Sequence, residues 1–163
     1  MSLIRPVQLE DRASLENILR GTNVFTDEEI SVAMELIDAT IKDPEQKDYV
    51  IKVAVSDKGK VEGYYCIGPT PLTKGTYDLY WIAVDANSHG RGIGKYLIKN
   101  AEDWVKERGG HLIIAETSSQ PKYDNTRNFY LHTDYKELAR IKNYYSAGDD
   151  LVIYGKYVSH HGD

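Results

Sequence analysis

The sequence predicts an α/β fold. We expect a single domain with a mixed, mostly antiparallel sheet of about seven strands, a central parallel pair and about four helices. Three observations carry this. Strand-like and helix-like segments follow one another in the order β-α-α-β-β-β-α-β-α-β-β. The apolar run Leu79 to Val84, the helical periodicity from Gly92 to Arg108 and the apolar run Leu112 to Ala115 make one parallel crossover. Between that first strand and its helix lies a glycine-rich turn, His89-Gly90-Arg91-Gly92-Ile93-Gly94.

The elements follow in chain order. Leu3 to Leu9 reads as a short edge strand, because Pro6 has no N–H for a central ladder. Asp11 is the expected N-cap of a helix through Leu15, Ile18 and Leu19 that stops near Gly21. Thr26-Asp27-Glu28-Glu29 has the capping-box spacing and opens a second helix, with Ile30, Ala33, Met34, Ile37 and Ile41 on one face. Tyr49 to Ser56 and Val61 to Ile67 form a hairpin across Asp57-Lys58-Gly59-Lys60. Thr76 to Val84 is the next strand. The helix after the glycine turn is expected to bury Tyr96, Leu97, Ala101, Trp104 and Val105, and Gly109-Gly110 closes it. Leu112 to Ala115 suits a central strand, Asp124 to His132 a short helix, and Lys136 to Tyr145 with Leu151 to Val158 a closing pair of strands. The domain covers residues 1–158, and residues 159–163, with His160-His161, form a short polar tail.

Composition limits the function. The chain has 163 residues and a net charge of −5, so its overall field favours a cationic partner over nucleic acid. Cys66 is the single cysteine, which excludes an internal disulfide, and the five histidines show no metal-ligand spacing. With no apolar run of membrane length and no signal-like start, we expect a cytoplasmic protein, a monomer or homodimer, with neither membrane nor metal as partner.

Strand, glycine turn and helix start together make an anion site. Glycines let the backbone approach a ligand, and the unpaired N–H groups of the helix start point at it. The Walker spacing is absent, and so is the dinucleotide Gly-x-Gly-x-x-Gly. The spacing Arg/Gln-x-x-Gly-x-Gly/Ala after an apolar strand belongs to the acetyl-CoA loop of the GNAT N-acetyltransferases, and residues 89–94 resemble it, with His89 in place of Arg or Gln. The element order, helix pair included, is also that of the family, so the resemblance spans nearly the whole chain. The closing run Arg140 to Tyr154 looks loosely like the ribosomal-protein N-terminal acetyltransferase branch.

The resemblance implies an acetyl-CoA-dependent N-acetyltransferase, with acetyl-CoA as co-substrate in a V opened between the Thr76–Val84 and Leu112–Ala115 strands. A primary amine, of a small molecule or a protein N-terminus, would attack the thioester directly in a ternary complex. The cofactor-binding residues would be Ile82, Ala83 and Val84 through their backbone, then His89, Gly90, Arg91, Gly92, Ile93, Gly94 and Lys95. Tyr130 matches the tyrosine placed near the coenzyme sulfur, where it would protonate the thiolate. Glu116 and Asp78 compete as general base, and an amine that arrives neutral needs neither. The family's Gly-Phe step after the tyrosine is replaced here by His132-Thr133-Asp134-Tyr135. Two other classes stay open: a non-catalytic acyl-CoA sensor, and a nucleotide-binding structural domain.

Overall fold

The computed structural model describes residues 2–159, so most of the expected polar tail, residues 160–163, lies outside the described residues. The seven-stranded sheet has the order β1-β2-β3-β4-β5-β7-β6. Its strands are β1 (Leu3–Pro6), β2 (Val50–Val55), β3 (Val61–Pro69), β4 (Thr76–Val84), β5 (Leu112–Ser118), β6 (Lys136–Ser146) and β7 (Asp149–Tyr157). The helices are α1 (Arg12–Gly21), α2 (Asp27–Lys42), α3 (Ile93–Glu107) and α4 (Asp124–His132). The β4–β5 pair is parallel, and the β1–β2, β2–β3, β5–β7 and β6–β7 pairs are antiparallel. This is the fold class that the sequence predicts. The contacts group into two compact units, one of residues through Gly68 with Tyr80–Asp103, the other of Pro69–Leu79 with Trp104 onward.

In the first unit, α1 and α2 cover one face of β2 and β3. Leu15, Ile18, Leu19, Ile30, Ala33, Met34 and Ile37 bury against Ile51, Val53, Val61, Tyr64 and Cys66. The Thr26 hydroxyl accepts from the Glu29 N–H at 3.1 Å, and the Glu29 carboxylate accepts from the Thr26 N–H at 3.0 Å. The capping box read from sequence is therefore closed at both ends. Asp11 stands at the N-cap of α1 as expected, but makes no side-chain cap bond. Instead it reaches back to the Gln8 N–H at 2.8 Å and takes both Nη atoms of Arg5, at 2.8 and 2.9 Å. A single turn of tighter helix, Leu9–Asp11, precedes α1, so the chain starts to coil three residues earlier than the N-cap reading placed it.

One register shift in this unit matters for function. Ala54 pairs with Gly63, but the next residue, Val55, pairs with Val61. Glu62 is thus an extra residue in β3, a bulge that turns its side chain out of the ladder's alternation. The glutamate is 1% exposed.

In the second unit, β5 pairs with β7 without a shift from Leu112↔Tyr157 to Ser118↔Leu151. Ile113, Ala115 and Thr117 are buried, whereas Glu116 points to the exposed face. Arg127 ties the β5–α4 connection by donating to the Ser118 and Gln120 carbonyls at 2.6 and 3.0 Å, and it pairs with Asp124. The expected inward face of α3, whose residues through Asp103 belong to the first unit, is corrected at one end. Leu97, Ile98, Ala101 and Val105 are buried, but Tyr96 is exposed. The apolar stripe follows the 97-98-101-105 positions, and Tyr96 sits at its rim.

Candidate functional site

The glycine turn lies wholly in the first unit. β4 ends at Val84, and a tight turn, Ala86–Ser88, carries the chain to His89. Asp85 anchors that exit: its N–H donates to the Glu62 carbonyl at 2.8 Å, and its carboxylate pairs with Lys60 at 2.7 Å. The Lys60 ammonium holds the Asp85 carboxyl below the usual carboxylate range. Gly90 and Gly92 have φ of +81° and +77°, and a Cβ added to either would meet nothing within 4 Å. Glycine is required there by backbone conformation rather than by crowding. The space along both Cβ directions is open. The helix follows at once, with Ile93 buried as its anchor and the Tyr96 N–H already bonded to the Gly92 carbonyl at 3.0 Å.

His89, Gly90, Arg91, Gly92 and Lys95 are exposed, and Gly94 is half-buried. Of the strand residues, Ala83 is buried while Ile82 and Val84 are half-buried. Ile93 and Gly94 apart, the residues from His89 to Tyr96 are thus on the surface.

Beneath the turn sits a group that sequence reasoning missed. Glu62 accepts from the Ser2 hydroxyl at 2.6 Å, from the Ser88 hydroxyl at 3.2 Å and from Arg91 Nη1 at 2.6 Å. The Ser2 hydrogen bond, with Arg91 and Ser88, lowers its pKa and keeps it a carboxylate. The one signal in the sequence was a charged residue set among Val61, Gly63, Tyr64 and Tyr65, where a buried strand would have an apolar one.

The three catalytic candidates lie in the second unit. The parallel ladder runs from Thr76↔Leu112 to Asp78↔Ile114, and both strands continue beyond the last pair, β4 to Val84 and β5 to Ser118. Asp78 is level with Ile114, so Asp78, Ile114 and Glu116 share one face, with the two carboxylates at diagonal positions. Glu116 is exposed and Asp78 half-buried. Tyr130 is on the opposite face. It stacks on Tyr154 at 5.7 Å between ring centroids, and Tyr154 is level with Ala115, whose side chain points away from that of Glu116. Tyr135 completes the cluster at 5.5 Å. Tyr130 is 4% exposed, and burial pushes its phenol pKa up, so the group holds its proton at neutral pH.

The replaced Gly-Phe step has a structural answer. Asp134 takes φ of +70°, the left-handed conformation a glycine would take without strain, and Tyr135 is 1% exposed as an inward aromatic. Among the described residues no group of three His, Cys, Asp or Glu side chains could hold a metal ion.

The sequence profile of the acetyltransferase (GNAT) family matches residues 12–135. The chain belongs to the GNAT acetyltransferase family. A crystal structure of a protein from Desulfovibrio desulfuricans, assigned to the same family, matches with a TM-score of 0.92 and 38% identity over 98% of this chain and 100% of that one. The ribosomal-protein-S18-alanine N-acetyltransferase of Escherichia coli matches with a TM-score of 0.77 and 17% identity, over 100% and 97% of the two chains. An aminoglycoside 6′-N-acetyltransferase in complex with coenzyme A matches with a TM-score of 0.76 and 18% identity, over 99% of each chain. At such identities the last two show the shared fold. No curated protein matches the chain.

Proposed function

We propose that this GNAT protein is an acetyl-CoA-dependent N-acetyltransferase acting on a primary amine by direct attack. The observation that carries this is the open, positive-φ Gly90/Gly92 turn at the head of α3, which offers backbone N–H groups and space to a diphosphate. Its family membership and a CoA-bound relative of the same fold support the choice of coenzyme. Backbone groups of Ile82, Ala83 and Val84 would receive the pantetheine arm, and backbone N–H groups of residues 89–95 the diphosphate.

The face assignment in the second unit gives the chemistry a direction. Direct displacement removes a proton from the amine on one side of the thioester carbon and delivers one to the thiolate on the other. Glu116 of β5 and Asp78 of β4 lie on one face of the parallel pair, and Tyr130 lies on the other. The carboxylates fit the acceptor side, where either accepts the amine proton, directly or through water. Tyr130, protonated and nearly enclosed, fits the leaving-group side. A cytoplasmic setting goes with this reading.

The test is a thermal melt with CoA, acetyl-CoA, ATP and NAD in parallel, then an amine panel read by thiol release. A ligand at a hundred times its Kd adds about 2.7 kcal/mol of stability. Selective stabilisation by both CoA species is the expected result. Equal or greater stabilisation by ATP or NAD overturns the loop assignment. Stabilisation by CoA with no thiol release from any amine favours an acyl-CoA sensor instead.

A further inference from the structure

An anion-binding turn that rests on a buried carboxylate is an apparent contradiction, because Glu62 places a negative charge where a diphosphate would be repelled. The structure resolves it by pairing. Arg91 reaches down from the turn to Glu62 at 2.6 Å, with the glutamate 1% and the arginine side chain 56% exposed. Ser88, itself 1% exposed, fixes the other end of the turn to the same carboxylate oxygen. Gly90 and Gly92, by contrast, have no packing at all around their Cβ directions. The turn is therefore tied down by Glu62 through Ser88 and Arg91, with Ile93 burying at the helix start.

We propose that Arg91 acts on the coenzyme by neutralising Glu62, the buried carboxylate beneath the turn, and not by contacting a phosphate. The bulge at Glu62 serves this, since it aims into the turn a side chain that an unbroken ladder would place elsewhere. The inference rests on the reading of residues 89–95 as the CoA diphosphate site. It separates two roles for Arg91 that look alike in a single substitution. As a phosphate ligand, Arg91 is missed whether or not Glu62 is present. As a counterion to Glu62, it is needed only while Glu62 is charged.

A double-mutant cycle reads the difference. CoA affinity by titration calorimetry, and kcat with KM for acetyl-CoA, are measured for the wild type, Arg91→Met, Glu62→Gln and Glu62→Gln/Arg91→Met. Arg91→Met, which leaves a buried charge unpaired, is expected to weaken CoA and raise the acetyl-CoA KM about tenfold or more, with kcat and the amine KM unchanged. The double variant is expected to recover to within about threefold of the wild type, as coupled charges do when both are removed. A double variant as weak as Arg91→Met overturns the proposal and makes Arg91 a ligand, and so does an Arg91→Met that binds like the wild type. Should Glu62→Gln fold poorly, as shown by its melt, Glu62→Met/Arg91→Met replaces the pair with apolar side chains of similar length, and the same recovery is required. A wild type that binds no CoA removes the diphosphate reading itself, an outcome distinct from failure of the cycle.

Discussion

The glycine turn and the Tyr130 cluster are built on opposite plans. The turn is exposed, the Cβ directions of Gly90 and Gly92 are open, and backbone conformation plus bonds to the Glu62 carboxylate hold it. The tyrosine cluster is buried, with Tyr130, Tyr135 and Tyr154 packed ring on ring at 5.5 and 5.7 Å. A site that binds an anion needs free N–H groups and so stays open. In the proposed role Tyr130 would deliver a proton, and its burial favours the neutral, proton-bearing form. Damage to the two should therefore differ in kind: the turn should lose affinity while the fold survives, and the cluster should lose either stability or turnover according to which atoms are removed.

The sharpest break of that contrast is at Tyr130. Tyr130→Phe keeps the packed ring and removes the proton, so kcat is expected to fall about 100-fold or more while CoA affinity and the melting curve stay near wild type. Full activity in that variant removes the acid role. Tyr130→Ala opens a cavity among the rings and is expected to cost about 3–5 kcal/mol in a denaturant titration. At the turn, Gly92→Val forces a β-branched side chain to φ of +77°, at a cost of about 1–3 kcal/mol. Calorimetry should show this mainly as weaker CoA binding, about tenfold or more, because a turn that relaxes from its conformation loses its donors. The two carboxylates come next. If one is the base, Glu116→Asn or Asp78→Asn, but not both, should lower kcat about tenfold or more at neutral pH, with partial recovery as pH rises and the amine arrives neutral.

The smallest effect concerns acid. The folded-state pKa of Glu62 is depressed, first by the Ser2 hydrogen bond and then by Arg91 and Ser88. A depressed carboxylate contributes stability above its unfolded value, about 4.3, and loses it as pH falls through the folded value. The stability gap between wild type and Glu62→Gln should be full at pH 7 and shrink once the pH drops below about 4. A gap that widens on acidification would mean that Glu62 is destabilising as a charge.

Features governed by local conformation were the ones legible in the chain. Gly90 and Gly92 announce positive φ, Thr26 and Glu29 announce a helix start, and Pro6 announces an edge strand, each through a property of the residue itself. Tyr130 could be placed on a helix by pattern and given its role by resemblance, but not its stacking on Tyr154 or its position opposite Glu116, which depend on the β5–β7 register. The direction of the Glu62 side chain was hidden for the same reason, although a charge in that strand was itself a signal. A one-residue bulge has no sequence signature, and without it a glutamate in β3 reads as a surface charge. Asp11 was placed correctly at the start of α1, but its bonding was not, because its Arg5 partner precedes it and the N-cap rule looks only forward. Tyr96 was misjudged because a helical stripe has rims, and the 3.6-residue period alone does not say which rim residue is covered.

Cys66 is fully enclosed in the first unit's core, and burial pushes its thiol pKa up to about 12. A chromogenic disulfide reagent added to the native protein should therefore give almost no signal of its own, so any colour in a CoA-release assay comes from product. The same silence makes the residue an intrinsic unfolding probe. Labelling of Cys66 under mild denaturant should follow global opening of that core, and its slowing by saturating CoA would give the coenzyme's linkage energy with no dye and no engineered tag.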